Sequence, residues 1–237
     1  MDGREIAEVA ALLADRTRAG ICLALLDGRA WTAGELARLA GVAPATATEH
    51  LNRLVAGGLL AEVRQGRHRY LRLAGPRAAQ LVEDLSSYPA PAPPAPSLRG
   101  SGARAALTAA RTCYDHLAGR LGVGLLAAMT GRGLFDQSAG AAFTPAGLAW
   151  LAGLGIELPA PEAGRRPPVR LCLDWTERRP HLAGAAGAAL CARFLAAGWV
   201  ERTTRQRAVR VTPAGERALA DQLGLDVPGL TALPPTG

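Results

Sequence analysis

A run of alternating proline and alanine near the middle of the chain is the feature that most constrains its fold. Residues 89–97 read PAPAPPAPS, a composition that favours an extended polyproline-like spacer over a packed element. The run separates two stretches that are each long enough to build a core. We therefore predict a domain at 1–88, a linker at 89–100 and a C-terminal module at 101–237.

Composition indicates a fold that is mainly α with short β-hairpins. Hydrophobic residues make up 49% of the chain and aromatic residues only 4%, so the core consists mostly of alanine, leucine and valine, which suit closely packed helices. No apolar run is long enough to cross a membrane, and the first residues lack the apolar segment of a signal peptide. We expect a cytoplasmic protein with no membrane partner.

The charge of the chain favours a polyanionic partner. All 27 basic residues are arginine, and the net charge is +7. A basic chain of this kind is biased toward nucleic acid. A basic surface without a specific partner is the alternative, and charge alone does not separate the two.

The first domain is predicted to be a winged helix-turn-helix. Thr32 and Glu35 are placed to cap one helix, Pro44 suits the first turn of the next, and a tight turn at 41–43 joins the two. Apolar spacing and turn residues define the remaining elements. The predicted helices are 4–14, 16–27, 33–40, 44–56 and 76–87, and the predicted hairpin strands are 59–64 and 68–73.

The helix at 44–56 is predicted to lie in the major groove of double-stranded DNA. Short threonine side chains let such a helix approach base edges, and arginines on the hairpin, or wing, can follow the backbone or enter the minor groove. An ordinary solvated hairpin is the alternative for the wing. The predicted contacts are Thr46, Thr48, Glu49, His50, Asn52 and Arg53 on the helix and Arg64, Arg67, His68 and Arg69 on the wing.

This stretch resembles the ArsR family of winged-helix regulators over about residues 15–73. The likeness is carried by LADRTR at 13–18, ELA at 35–37, TATEHL at 46–51, LVAGGL at 54–59 and GRHRY at 66–70. The resemblance implies a homodimer that binds an inverted-repeat operator and releases it when an effector binds.

Two metal sites known in that family are not carried over. The region 31–36 of the bracing helix contains no thiol, and the helix at 76–87 has Glu83 and Asp84 but no histidine. The long C-terminal module also departs from the compact members, so the resemblance does not supply an effector.

The C-terminal module contains an internal repeat. The sequence HLAG at 116–119 recurs at 181–184, and TPAG at 144–147 recurs at 212–215, with three extra residues in the second copy. We interpret the module as two winged-helix-like half repeats, each a helix, a hairpin and a second helix; coincidence in an Ala/Gly-rich chain is the alternative. The longer second hairpin offers candidates for another DNA backbone contact: Arg202, Arg205, Arg207 and Arg210.

Two groups of cysteine, histidine and aspartate in this module are candidates for a sensor site. Cys113 and His116 are predicted to share a helical face, and the repeat gives His116 and His181 equivalent positions. These residue types bind transition metals, and a thiol of low pKa would respond to oxidation. The candidate residues are Cys113, His116, Cys172, Asp174 and His181.

Two other interpretations of these groups stay open. The histidines can cap and pack the start of each helix while the cysteines fill the core. Alternatively, an organic effector can stack on Tyr114, Trp150 and Trp175 beside Arg178.

The predicted function is a sequence-specific transcriptional regulator, a repressor that responds to a ligand, a metal or a redox change. A nonspecific architectural DNA-binding protein is the alternative, and it would show steep salt dependence without operator preference. An enzyme is not predicted, because a Cys113–His116 pair lacks the oxyanion donors and supporting loop that cysteine catalysis needs.

Overall fold

The computed structural model describes residues 2–66, 68–87, 98–138, 140–160, 166–204 and 207–231. The chain divides into two compact units, Met1–Ser86 and Ser87–Gly237. The predicted linker at 89–100 lies mostly outside the described residues. Its last three residues, 98–100, instead begin a helix, since this stretch contains no proline to prevent it.

The N-terminal unit has the elements of a winged helix-turn-helix. Its three strands form one antiparallel sheet in the order β1-β3-β2, and a 3-10 turn at Leu25–Asp27 extends the second helix. The prediction of a mainly α fold with short β-hairpins and an N-terminal winged helix-turn-helix is confirmed, with helix and strand bounds in this unit close to those expected. The elements are α1 (Gly3–Leu13), α2 (Arg16–Ala24), β1 (Trp31–Thr32), α3 (Ala33–Ala40), α4 (Pro44–Ala56), β2 (Leu60–Gln65), β3 (His68–Leu73) and α5 (Pro76–Ser87).

Local chemistry explains the sharp boundary between α3 and α4. The Thr32 side chain accepts a hydrogen bond from the Glu35 amide while Glu35 bonds back to the Thr32 amide, which is the predicted capping box. Gly41 ends α3 in the left-handed conformation with φ of 66°, which glycine adopts without steric cost. Pro44 then occupies the first turn of α4.

The C-terminal unit is built from short antiparallel hairpins that alternate with helices. Each pair of successive strands forms a separate two-stranded sheet. The elements are α6 (Leu98–Ala109), β4 (Arg111–Cys113), β5 (His116–Ala118), α7 (Gly119–Gly131), β6 (Phe135–Asp136), β7 (Ala142–Phe143), α8 (Pro145–Gly153), β8 (Arg170–Leu173), β9 (Pro180–Ala183), α9 (Gly184–Ala196), β10 (Val200–Arg202), β11 (Val209–Val211), α10 (Pro213–Leu223) and α11 (Val227–Thr231).

The order hairpin, helix, hairpin, helix occurs twice in this unit, from β4 to α8 and from β8 to α10. The sequence analysis missed the first hairpin of each series. HLAG does not lie at the start of a helix alone, because its first three residues form a strand and only the glycine opens the helix. The origin of the two series by duplication stays a prediction.

Buried apolar side chains from both series form one core in the C-terminal unit. Leu121 of α7 and Phe194 of α9 are nearly inaccessible to solvent, as are Phe135 and Leu219. The two series are therefore held together by shared packing. Within the described residues, every helix falls short of the length and apolar character needed to span a membrane.

Candidate DNA interface and a buried cysteine–histidine cluster

The outer face of α4 presents most of the predicted DNA contacts to solvent. Ala47, Leu51 and Leu54 are buried and fix the rotation of the helix. This rotation leaves five of the six predicted contact residues on α4 exposed: Thr46, Thr48, Glu49, Asn52 and Arg53. The Thr48 hydroxyl donates to the Pro44 carbonyl oxygen at 2.8 Å, so its oxygen remains able to accept a hydrogen bond.

His50 is placed differently from the other predicted contacts. Its side chain is only 17% exposed, and its Nδ1 lies 3.8 Å from Asp15 Oδ1 and 3.5 Å from Arg18 Nη1. Arg18 is itself buried and donates to the carbonyl oxygens of Leu12 and Ala11 at the end of α1. His50 thus connects α4 to the junction of α1 and α2, a link that the sequence did not indicate.

The wing arginines are held by one carboxylate. Glu62 on β2 accepts hydrogen bonds from Arg64 Nε and Arg69 Nε, both at 2.7 Å. These bonds, that from Arg64 foremost, lower the pKa of Glu62. His68 lies exposed at the start of β3 and packs edge-on against Tyr70. The remaining predicted contact, Arg67, lies outside the described residues.

Four of the five predicted sensor residues converge in the interior of the C-terminal unit. The ligand atoms of Cys113, His116, Cys172 and His181 all lie within 4.8 Å of one another, and each residue is at most 4% exposed. The Nε2 atoms of the two histidines are 3.2 Å apart, and the two sulfurs are 4.0 Å apart. We call these four residues the Cys2His2 cluster.

The convergence is produced by hairpins, and the prediction of a shared helical face was wrong. Cys113 and His116 are cross-strand partners in the β4–β5 hairpin, whose two-residue turn includes Tyr114 at φ of 59°. Cys172 and His181 are partners in the β8–β9 hairpin. Each hairpin therefore presents one thiol and one imidazole on the same face.

Two glycines allow the hairpins and helices to approach closely. A Cβ atom at Gly187 of α9 would lie 2.5 Å from the Leu182 carbonyl oxygen and 3.1 Å from the His116 Cβ. A Cβ atom at Gly122 of α7 would lie 2.3 Å from the Leu117 carbonyl oxygen and 3.4 Å from the His181 Cβ. Each helix thus packs against its own hairpin and against the histidine of the other series.

Asp174 lies outside the Cys2His2 cluster, which corrects its assignment as a ligand. Its Oδ2 accepts hydrogen bonds from Arg111 Nη2 at 2.8 Å and the Gly119 amide at 2.7 Å, and its Oδ1 accepts bonds from Thr176 and Glu177. These donors turn the carboxylate away from the sulfurs. Its Oδ2 instead lies 3.7 Å from Nδ1 of His181, on the far side of the imidazole from the cluster.

Asp115 is the equivalent carboxylate behind His116, and the sequence analysis missed it. Its Oδ1 lies 3.3 Å from His116 Nδ1, and Arg166 forms a bidentate ion pair with both of its oxygens. Burial opposes ionisation of Asp115, but the Arg166 guanidinium holds its pKa at about 2. In each hairpin an aspartate lies within two residues of a cluster member. This spacing was the sequence signal that could have indicated Asp115.

Cys172 differs from Cys22 and Cys191 in the direction of its pKa shift. Burial raises the pKa of Cys22 and of Cys191 to about 12, as expected for thiols in apolar cores. The hydrogen bond with Cys113 is the main cause that instead brings the pKa of Cys172 well below its ordinary range. Burial lowers the pKa of His181. These two shifts favour a thiolate at Cys172 and a neutral imidazole at His181.

Other predicted candidates have partners within the C-terminal unit. Trp150 donates to Gln222 at 3.0 Å, and the Trp175 ring packs under the Arg111 guanidinium at 4.9 Å. In the β10–β11 hairpin, Arg207 donates to the Thr112 carbonyl oxygen and Arg210 pairs with Glu201. Arg205 lies outside the described residues. These contacts hold the four side chains against other residues of their own unit.

Comparison with known proteins identifies the class of the N-terminal unit and of the whole chain. A family model described as a helix-turn-helix domain matches residues 13–63. The HTH-type transcriptional regulator YdfF of Bacillus subtilis, itself described as uncharacterized, is 40% identical over 223 residues, which cover 94% of this chain and 98% of that protein.

Solved structures give matches over about a third of the chain. The homodimeric winged helix-turn-helix domain of Mb0332 from Mycobacterium bovis, a possible ArsR-family regulator, is 30% identical over 35% of this chain and 75% of its own, with a TM-score of 0.33. The transcriptional repressor BigR of Xylella fastidiosa is 27% identical over 37% of this chain and 90% of its own, with a TM-score of 0.34. These matches are too partial to add to the assignment.

The relative from Bacillus subtilis decides the family, because the identity extends through both units. This confirms the prediction of a DNA-binding regulator in place of an enzyme. The winged fold of residues 2–87 and the motifs shared with ArsR proteins agree with it. The N-terminal unit is a winged helix-turn-helix, and the chain belongs to the family of helix-turn-helix transcriptional regulators that includes YdfF.

Proposed function

We propose that this regulator is a cytoplasmic repressor that binds an inverted-repeat operator as a homodimer, with α4 as the reading helix. The observation that carries the proposal is the rotation of α4. Ala47, Leu51 and Leu54 are buried on one face of the helix. Thr46, Asn52 and Arg53 are exposed on the other face. A helix presented in this way can enter the major groove and place short polar side chains against base edges.

The wing supports the same orientation. It follows α4 directly, and Arg64 and His68 are exposed near its tip. Arginine near a wing tip can contact phosphate or the minor groove beside the site that the helix reads. His50, which is mostly buried against Arg18, positions α4 in this proposal and makes a smaller direct contribution.

A homodimer is supported by an apolar surface that the N-terminal unit leaves uncovered. Ile6 and Val9 of α1 are 57% and 39% exposed, and Leu85 of α5 is 48% exposed. No residue of α1 is buried, although the helix is amphipathic. Exposed apolar side chains on two helices favour association with a second copy, and two copies would read the two half-sites of an inverted repeat.

Footprinting on the DNA upstream of the gene tests the reading helix. The wild-type chain should protect a sharp palindrome. Thr46→Ala, Thr48→Ala and Arg53→Ala combined should abolish that protection, because each removed group is placed to contact bases or phosphate. A single good base contact is worth about 1–3 kcal/mol, so the triple variant should lose at least a hundredfold in operator affinity.

Arg217→Ala is the matched control, because it removes one exposed arginine from α10 in the C-terminal unit. It should leave the footprint intact. Unchanged protection by the triple variant would refute the assignment of α4. Uniform weak protection by the wild-type chain would instead favour the nonspecific architectural protein.

A further inference from the structure

The interior of the C-terminal unit contains a complete set of soft and borderline metal ligands. Two sulfurs and two imidazole nitrogens face one point, and all four residues are buried. Two cysteines and two histidines in a tetrahedral arrangement are a ligand set typical of zinc. We propose that the Cys2His2 cluster binds one zinc ion in a closed site that links the β4–β5 hairpin to the β8–β9 hairpin.

The distances between ligand atoms agree with tetrahedral zinc. Bonds of about 2.3 Å to sulfur and about 2.0–2.1 Å to nitrogen place two sulfurs about 3.8 Å apart and two nitrogens about 3.3 Å apart. The cluster has 4.0 Å between the sulfurs of Cys113 and Cys172 and 3.2 Å between the Nε2 atoms of His116 and His181. These two separations differ from the tetrahedral values by about 0.1–0.2 Å, and the sulfur–nitrogen separations, which reach at most 4.8 Å, would shorten toward about 3.5 Å when the ion binds.

The orientation of the imidazoles is a second, independent observation. His116 turns Nδ1 toward Asp115 at 3.3 Å, and His181 turns Nδ1 toward Asp174 at 3.7 Å. A carboxylate behind the distal nitrogen keeps the proton on Nδ1 and directs the Nε2 lone pair toward a metal. Both lone pairs then point at each other across 3.2 Å, which is repulsive unless a positive ion lies between them.

Simple packing does not account for the same geometry. His181 is fully buried, yet its Nδ1 has no hydrogen-bond partner, which is costly for a polar atom in a protein interior. If His181 instead donates from Nε2 to His116, its unprotonated Nδ1 faces the Asp174 carboxylate. An ion at the Nε2 atoms removes this conflict, because Nδ1 then carries the proton and presents it to the Asp174 carboxylate 3.7 Å away.

The carboxylates of Asp115 and Asp174 are each held in place by an arginine. Arg166 pairs with Asp115, and Arg111, which is fully buried, pairs with Asp174 at 2.8 Å. Because all four coordination positions are filled by the protein, the site leaves no position for a substrate and is of the structural or sensing type. The inference concerns only the C-terminal unit and does not depend on operator reading by α4.

Metal analysis of the full chain tests the proposal. Protein purified under reducing conditions without chelator should contain one zinc ion per chain. After removal of zinc, addition of Co²⁺ alone should produce the visible absorption of tetrahedral cobalt together with a thiolate-to-cobalt charge-transfer band. Absence of both zinc and these bands, stoichiometric copper in place of zinc, or a Cys113–Cys172 disulfide in the purified protein would overturn the proposal.

Cysteine variants locate the site. Cys113→Ser should lose the zinc and the charge-transfer band, because it removes one of two sulfur ligands. Cys191→Ser is the matched control, since Cys191 is equally buried in the same unit but belongs to the main core. It should retain both signals. Equal zinc content in Cys113→Ser and the wild-type chain would place the metal elsewhere and overturn the assignment.

Asp115→Asn keeps the test decisive if Cys113→Ser fails to fold. The Asp115 side chain is 30% exposed, so the substitution leaves the buried core intact and weakens the ion pair with Arg166. Loss of a carboxylate behind a ligating histidine weakens metal affinity by about 10–100-fold. The dissociation constant for Zn²⁺, measured by competition with a chromophoric chelator, should rise by that factor. An unchanged constant would contradict the role of the carboxylate–histidine pair.

Discussion

At the scale of single residues, the Glu62 carboxylate limits the DNA contacts that the wing arginines can make. This carboxylate bonds to both Arg64 and Arg69, two of the arginines that the sequence assigned to DNA. A paired arginine can contact phosphate only if it leaves or shares its carboxylate partner. Glu62 thus limits the affinity of the wing for nonspecific DNA.

Glu62→Gln should therefore strengthen nonspecific DNA binding and steepen its salt dependence. Each additional phosphate contact adds about 0.9 to the magnitude of the slope of log K against log salt concentration. Fluorescence anisotropy with random-sequence duplex at several salt concentrations measures this slope, which should increase by about 1–2.

Glu8→Gln is the control for Glu62→Gln. Glu8 also pairs with an arginine, Arg4, and its substitution changes the net charge equally, but it lies on α1 and away from the wing. The prediction fails if the two variants give the same slope.

At the scale of elements, α7 and α9 contact the hairpins at Gly122 and Gly187, where a side chain would clash with a backbone carbonyl oxygen. Gly122→Ala should force α7 away from β5, because the new Cβ would lie 2.3 Å from a backbone oxygen. Overpacking of this kind costs about 1–3 kcal/mol. Thermal unfolding of the full chain should show a lower midpoint for the C-terminal transition.

Gly131→Ala tests whether the effect of Gly122→Ala is steric. Gly131 is in the same helix, and a Cβ atom there meets nothing within 4 Å. Alanine has the higher helix propensity, so the midpoint should stay the same or rise slightly. Equal destabilisation by both variants would show that the close approach at Gly122 is not responsible.

The sequence predicted the elements of the N-terminal unit because their signals are local. The Thr32–Glu35 capping box, the proline at 44 and the alternation along β2 and β3 each act within a few residues. The hairpins that begin each C-terminal series were missed because their strands have only three or four residues. Such strands are too short for a periodic pattern to distinguish them from helix.

In the candidate sites, too, the sequence predicted features set by nearby residues and missed contacts between residues far apart in the chain. Exposure of Thr46 and Arg53 follows from helical periodicity alone. The pairing of Arg111 with Asp174 joins residues 63 positions apart, and the link from Arg18 to His50 spans 32 positions. Contacts of that kind depend on tertiary packing and leave no spacing pattern for a single sequence to show.

At the scale of the whole molecule, α1 and α5 of the N-terminal unit expose large apolar side chains, among them Ile6 and Leu85. Ile6→Glu together with Leu85→Glu should convert a dimer to a monomer, because charge at these positions opposes burial against a second copy. Sedimentation velocity at several protein concentrations should show the lower mass, and affinity for an inverted-repeat operator should fall.

Leu148→Glu provides the comparison for the dimer variant. Leu148 is 50% exposed on α8 of the C-terminal unit, so Leu148→Glu places one glutamate, against two in the dimer variant, at a similarly exposed apolar position. It should leave the mass unchanged. Persistence of a dimer in the Ile6→Glu, Leu85→Glu variant would exclude α1 and α5 as the contact.

The pairing of one cysteine and one histidine on each hairpin has a further consequence for assembly. Neither hairpin supplies more than half of the buried cluster, and the shared core joins the same two halves. The first half of one chain can therefore pair with the second half of another and reproduce the same contacts. A unit organised in this way can exchange halves between chains, so domain swapping at high protein concentration would preserve the interior while changing the oligomeric state.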